Sequence, residues 1–129
     1  MPVPGETLHG KRFETGFGGK GANQCIMASK IGAKTAMVTK LGEDTFGRDT
    51  LQNYKSNNVN VDHVTFTTTA ATGVAPIFVD DAGQNSIVIV AGANNEMTSA
   101  DVEAAKATII GAKVGAGAGI QYTPAFPRV

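Results

Sequence analysis

The chain has no tryptophan, a single cysteine and few aromatic residues, 6% in all. One cysteine, Cys25, cannot build an internal disulfide framework and fits a reducing cytosol. With so few rings, the core must come from Val, Ile, Ala, Met and Phe. Charge of one sign is also lacking: eleven Lys and Arg balance eleven Asp and Glu, with no basic run. That leaves no electrostatic footprint for nucleic acid or an anionic membrane. No apolar run approaches the ~20 residues of a membrane span. Residues 1–6 lack the charged-then-apolar order of a signal peptide. What is present is globular stock: 129 residues, 42% apolar, enough for one domain with a core.

Along the chain, Pro4-Gly5 and Gly10 punctuate an extended or looped start, and Lys11 to Phe17 read as a short strand feeding a glycine-rich turn. From Gly21 the spacing of Ala22, Ile26 and Lys30 predicts a helix that stops at Gly32. "TAMVTK" (35–40) predicts a strand closed by Gly42. Asp44 opens a second helix, with Gly47, Leu51 and Tyr54 at helical spacing and Asn57-Asn58 as its exit. Val59, Val61 and Val64 mark another extended stretch. Strands are expected at 72–79 and 86–91, joined by the turn formers of 80–85. Pro76 cannot donate a ladder bond, so its strand should be an edge or exposed one. A turn is expected at 92–94. Thr98 and Asp101 then stand at capping-box spacing, before a helix with Val102, Ala105 and Ile109 on one face. Strands alternating with helices indicate an α/β layer with an antiparallel hairpin added.

The stretch "GFGGKGANQ" (16–24) carries most of the functional information. A Walker A loop would need Gly at position 14 and Ser or Thr after the lysine, but Glu14 and Gly21 stand there. Gly16, Gly18 and Gly21 satisfy G-x-G-x-x-G, with Glu43 or Asp44 ~20 residues on, yet "KRFET" before them is charged rather than a buried strand. A third reading is a loop that lets backbone approach a small polar ligand. Its glycines permit close contact and positive φ, and a helix opening there leaves N–H groups free. Asn23 in the first turn offers a donor and an acceptor to a sugar hydroxyl. The plain alternative is a tight turn with an exposed lysine.

"GGKGANQ" resembles the N-terminal signature of the ribokinase family of carbohydrate kinases, the PfkB type. Other stretches match in the same order. "PGET" (4–7) is similar to the approach to the first lid strand, "LGEDTFGRD" (41–49) to the family's G-x-D-x-x-G helix start, and "TGVAPIFVDDAGQNSIVIVAGAN" (72–94) to its lid hairpin. The likeness covers about residues 4–114. It implies a three-layer α/β/α domain, present in part, with a small β lid from strands at about 7–17 and 72–91. It implies ATP-dependent phosphorylation of D-ribose at its 5-hydroxyl by the full-length enzyme, with Mg2+ and a monovalent cation such as K+. Gly18 and Gly19 would offer backbone to the sugar, Asn23 would hydrogen-bond it, and Lys20 would approach it or orient the loop. Ala75, Ile77 and Ile87 would form an apolar lid that excludes water. A homodimer through the lid and a cytoplasmic or nuclear location complete the expectation. A kinase for another sugar or nucleoside, and a non-catalytic module pairing through its lid, are the alternatives.

The family's catalytic motif, Gly-Ala-Gly-Asp before a helix, is expected to be missing. "GAGAG" (115–119) has Ala118 where the acid belongs, and Pro124 and Pro127 follow. The opening strand with its acidic sugar ligand should precede "PGET", and the ATP-binding half lies beyond the likeness. The 115–129 segment reads as a divergent Gly/Ala/Pro tail. On this reading the chain is an N-terminal portion, marginally stable and inactive alone. Cys25 is expected as a packed small residue, and His9 and His63 as lone surface histidines with no structural metal site.

Overall fold

The computed structural model describes residues 2–117. Helix α1 (Lys20–Lys30) ends where Gly32 turns left-handed at φ 95. There the Ala33 N–H bonds Ala28 O at 3.0 Å and the Gly32 N–H bonds Ser29 O at 2.9 Å, a Schellman closure. Strand β1 (Ala36–Gly42) follows, then α2 (Thr45–Ser56) and β2 (Asn60–Thr67). Asp44 is the N-cap of α2 and accepts from Gly47 N. The helix closes as α1 does: Val59 N bonds Tyr54 O at 3.1 Å and Asn58 N bonds Lys55 O at 3.0 Å. Asn58 takes the left-handed position at φ 56, which Asn tolerates better than most residues. Both exits are therefore those expected from local sequence.

β1 and β2 pair in parallel, Val38 beside His63 and Leu41 beside Phe66, with α2 as the crossover that parallel pairing needs. Side-chain alternation then sorts the two faces. Lys40 reaches Asp101 at 2.8 Å and His63 Nε2 meets Thr108 Oγ1 at 2.9 Å, so α3 (Ser99–Ala104) and α4 (Lys106–Gly111) cover one face. Leu41, Val64 and Phe66 fall on the opposite face, that of α1 and α2. These two helices are tied by Ser29 Oγ donating to Asn57 O at 2.6 Å. This is helix–sheet–helix layering, a partial three-layer α/β arrangement. Among the described residues, the buried apolar ones all belong to this unit and the segments packed on it: Leu41, Tyr54, Val59, Ala93 and Ala105. Burial pushes the Tyr54 hydroxyl above its usual range.

The hairpin is shorter than expected. β3 (Ile77–Val79) pairs antiparallel with β4 (Asn85–Ile87), and Val74 bridges Val90. Between these lies Pro76, whose carbonyl accepts from Val88 N at 3.0 Å but which has no N–H to return. The proline nitrogen therefore faces the partner strand and splits the ladder, while its own strand is exposed and lies at the edge of a two-stranded sheet. The tip is held by Asp80, whose Oδ1 accepts from the N–H groups of Ala82 and Gln84, each at 2.9 Å.

Four further expectations change. Residues 7–17 form no strand. Leu8, Phe13 and Phe17 are exposed, and among the described residues no strand pairs with this segment. The expected turn at 92–94 is a 3-10 helix, Gly92–Glu96. The last helix keeps its Thr98–Asp101 capping box but breaks at Ala105, whose N–H bonds Val102 O at 3.1 Å. That tighter i−3 bond resets the helical phase, so Ala105 is buried while Ile109 is partly exposed. His63 is half-buried against α4 rather than a surface histidine. Cys25 is half-buried, its Sγ 3.8 Å from Ala36 O. Ala118 and the tail beyond it lie outside the described residues, as does the question of a Gly-Ala-Gly-Asp motif there. Among the described residues no helix is long and apolar enough to cross a membrane.

Candidate functional site

Gly19 is the N-cap of α1, at φ 95 and ψ 132, and no side chain caps the helix. A left-handed φ at this point suits glycine. The first intrahelical bond runs from Asn23 N to Gly19 O at 2.9 Å. The N–H groups of Lys20, Gly21 and Ala22 therefore lack helical partners, and the positive end of the helix dipole adds to them. Gly18, Gly19, Lys20 and Asn23 are all exposed. Four expected site residues thus sit together around one set of free donors. Such an arrangement can bind hydroxyl or anionic oxygens without further rearrangement. Asn23 also borders an open cleft of about 310 Å³ with Phe17, Ile26, Met27, Lys30, Asn53 and Asn57.

The remaining expected residues lie on the hairpin. Ile77 and Ile87 are cross-strand partners, and Ala75 lies on the same face by alternation. Pairing does not bury them: Ile77 stays 57% and Ile87 51% exposed. The opposite face carries Phe78, Val88 and Val90, also exposed. The hairpin thus offers apolar surface on both sides. Among the described residues no hydrogen bond or ion pair joins Ala75, Ile77 or Ile87 to the α1 turn. The link nearby is the Lys11–Asp81 ion pair at 2.7 Å, which ties the 7–17 segment to the hairpin tip.

A second polar region was not foreseen. At the carboxyl ends of β1 and β2, where ligands of open α/β sheets tend to bind, Glu43, Asp44 and residues 67–71 line a cleft of about 340 Å³. The Glu96 carboxylate accepts from the Thr67 and Thr69 hydroxyls, which hold it below the usual carboxylate range. Asp44 is likewise held down, first by the Thr72 N–H. The sequence signal was available in outline: parallel strands place 42–44 and 67–69 at one end of the sheet.

Residues 2–119 match the pfkB family carbohydrate kinase, and the chain belongs to that family, within its ribokinase type. It is 51% identical over 114 residues to the ribokinase of Mus musculus, covering 88% of this chain and 35% of the mouse protein. It is 43% identical over 105 residues to the deoxyribokinase of Salmonella typhimurium, covering 81% of this chain and 34% of that protein. The solved structure of Arabidopsis thaliana ribokinase complexed with ribose and ATP superposes with a TM-score of 0.71 at 36% identity, over 80% of this chain and 35% of that one. The chain thus spans about a third of the length of these two curated relatives, 35% of the mouse ribokinase and 34% of the Salmonella deoxyribokinase.

Proposed function

We propose that this chain carries the sugar-binding loop and lid of a kinase that transfers the γ-phosphoryl group of ATP to the 5-hydroxyl of D-ribose. The observation that carries the reading is the uncapped start of α1, with Gly18, Gly19, Lys20 and Asn23 exposed around free N–H groups. Neutral hydroxyls suit the Asn23 amide, which can donate and accept at once. Ala75, Ile77 and Ile87 would close over the sugar and exclude water, which disfavours loss of the phosphoryl group to hydrolysis. The second apolar face of the hairpin would pair with another copy of the lid, making a homodimer. The setting would be cytoplasmic.

No described side chain is assigned to ATP, Mg2+ or K+. Among the described residues there is no cluster of three metal-ligating side chains. Phosphoryl transfer needs a base and charge-stabilising donors, so the 129-residue chain alone is expected to be inactive. The likeness to a deoxyribokinase supports a second reading, 2-deoxy-D-ribose as the sugar.

The test is an NMR titration of the isolated chain with D-ribose and with 2-deoxy-D-ribose. D-Ribose should shift the amides of Gly18, Gly19, Lys20 and Asn23, and Asn23→Ala should remove the effect. Preference for the deoxy sugar would favour the second reading; shifts from neither sugar would overturn both. Ribose-dependent ADP release by the pure chain would contradict the expected inactivity.

A further inference from the structure

The two chain passes that enter and leave the β3–β4 hairpin meet at one crossing. Ala93 N donates to Ala71 O at 2.8 Å across it, while the Asn94 side-chain amide donates to Ala91 O at 2.8 Å within the leaving pass. The passes touch backbone to backbone. A Cβ on Gly73 would stand 2.6 Å from Ala91 O, and one on Gly92 would stand 2.2 Å from Ala71 O. No side chain fits between them.

One carboxylate fastens this crossing to the rigid part of the molecule. Asp44 Oδ1 accepts from Gly47 N and from Thr72 Oγ1, each at 2.7 Å. Its Oδ2 accepts from Thr72 N, also at 2.7 Å. The Thr72 hydroxyl in turn accepts from Gly42 N at 2.9 Å, and Thr72 is only 7% exposed. An N-cap needs one of these bonds; the other two from Thr72 reach 28 residues along the chain. Bonds to an ionised acceptor are about twice as strong as neutral ones. Beyond the crossing the hairpin has little of its own: three residues in each strand, a ladder broken at Pro76, and exposed side chains on both faces.

We propose that Asp44 and Thr72 are positioning residues that pin the root of the hairpin to the start of α2, so that the hairpin moves as one body beyond the Val74–Val90 bridge while the β1–α2–β2 unit stays still. The pin stands on geometry alone; its meaning as a lid bearing rests on the sugar-kinase reading above.

Amide hydrogen exchange of the whole chain tests it. Thr72→Val keeps the shape and removes the hydroxyl. Asp44→Asn keeps one acceptor oxygen for α2 but turns an NH2 group toward a donor. In both variants exchange at Val74, Val88, Val90 and Ala93 should rise about tenfold, as for the loss of one hydrogen bond to a charged group. Exchange within the β1–β2 ladder should not change, apart from the Gly42 amide, which loses its acceptor in Thr72→Val. Thr72→Ser, which retains the hydroxyl, should behave as wild type. A uniform rise across hairpin and ladder would reduce the pair to general structural residues and overturn the proposal. Unchanged hairpin exchange in both variants would overturn it as well. If Thr72→Val does not fold, Asp44→Asn carries the same readout. The D-ribose titration separates the two claims: localised exchange without ribose shifts leaves the pin and removes the sugar, and the reverse removes the pin alone.

Discussion

In the β1–α2–β2 unit, Leu41, Tyr54 and Val59 keep 5%, 4% and 5% of their surface; in the hairpin, Val79 keeps 65% and Ile89 62%. The two regions draw on similar β-branched and aliphatic residues. They differ in what surrounds the strands. The parallel pair has helices on both faces, and its large apolar side chains, Met37, Val38, Leu41, Val61, Val64 and Phe66, are half-buried or buried. The hairpin is a two-stranded ribbon, a form that is marginal by itself. Its apolar residues on both faces are surface without a use in this fold, the usual mark of a binding region. The unit supplies stability, and the hairpin supplies reach.

The largest test of that division is Tyr54→Ala. Removing a buried ring should cost about 3–5 kcal/mol in urea unfolding; a loss below about 1 kcal/mol would mean the unit is not the core. Gly47→Ala comes next. Its Cβ would lie 2.1 Å from Gly42 O, where strand and helix meet. Overpacking of about 2–3 kcal/mol should outweigh the roughly 1 kcal/mol that Ala gains in helix propensity. A stabilised variant would show that the contact yields easily.

The third test uses acid. Lys40 holds Asp101 down from 3.8 to about 2, by its hydrogen bond first and with Thr98 second. A depressed folded pKa stabilises the native state above the unfolded value. The contribution should therefore be complete above about pH 4 and fade as pH falls toward 2. Asp101→Asn should lose about 1 kcal/mol at neutral pH and show a flatter unfolding curve between pH 4 and 2. Asp44 and Glu96, also held down, should leave some slope. The hairpin's ion pair gives the contrast. Lys11 and Asp81 are 80% and 83% exposed, so Asp81→Asn should leave the urea midpoint where it is.

A small stability effect is also expected at the exposed face of the hairpin. Ile77→Ser with Ile87→Ser should change unfolding by less than about 0.5 kcal/mol. The same double variant should weaken the D-ribose shifts at Gly18 to Asn23, whereas Phe78→Ser with Val88→Ser, on the other face, should weaken self-association in native mass spectrometry. A loss of several kcal/mol would instead make the hairpin part of the core and dissolve the distinction between the regions.

Sequence determined what is local. Gly32 and Asn57-Asn58 end their helices because a left-handed residue is needed within a turn of the last helical carbonyls. Thr98 and Asp101 cap each other across three positions. Asp80 organises its own tip, and Gly18 to Asn23 sit together because they open one helix. Tertiary structure decided what spans distance. The Asp44–Thr72 bonds cross 28 residues and the His63–Thr108 contact 45, and no periodicity records either. It also decided the phase break at Ala105, the lack of a strand at 7–17, and which of two similar sets of apolar residues is buried. The physical reason is that a hydrogen bond within one turn needs only the right residue and dihedral angle. Burial and a long-range bond need a second segment brought against the first, and that depends on how the layers stack.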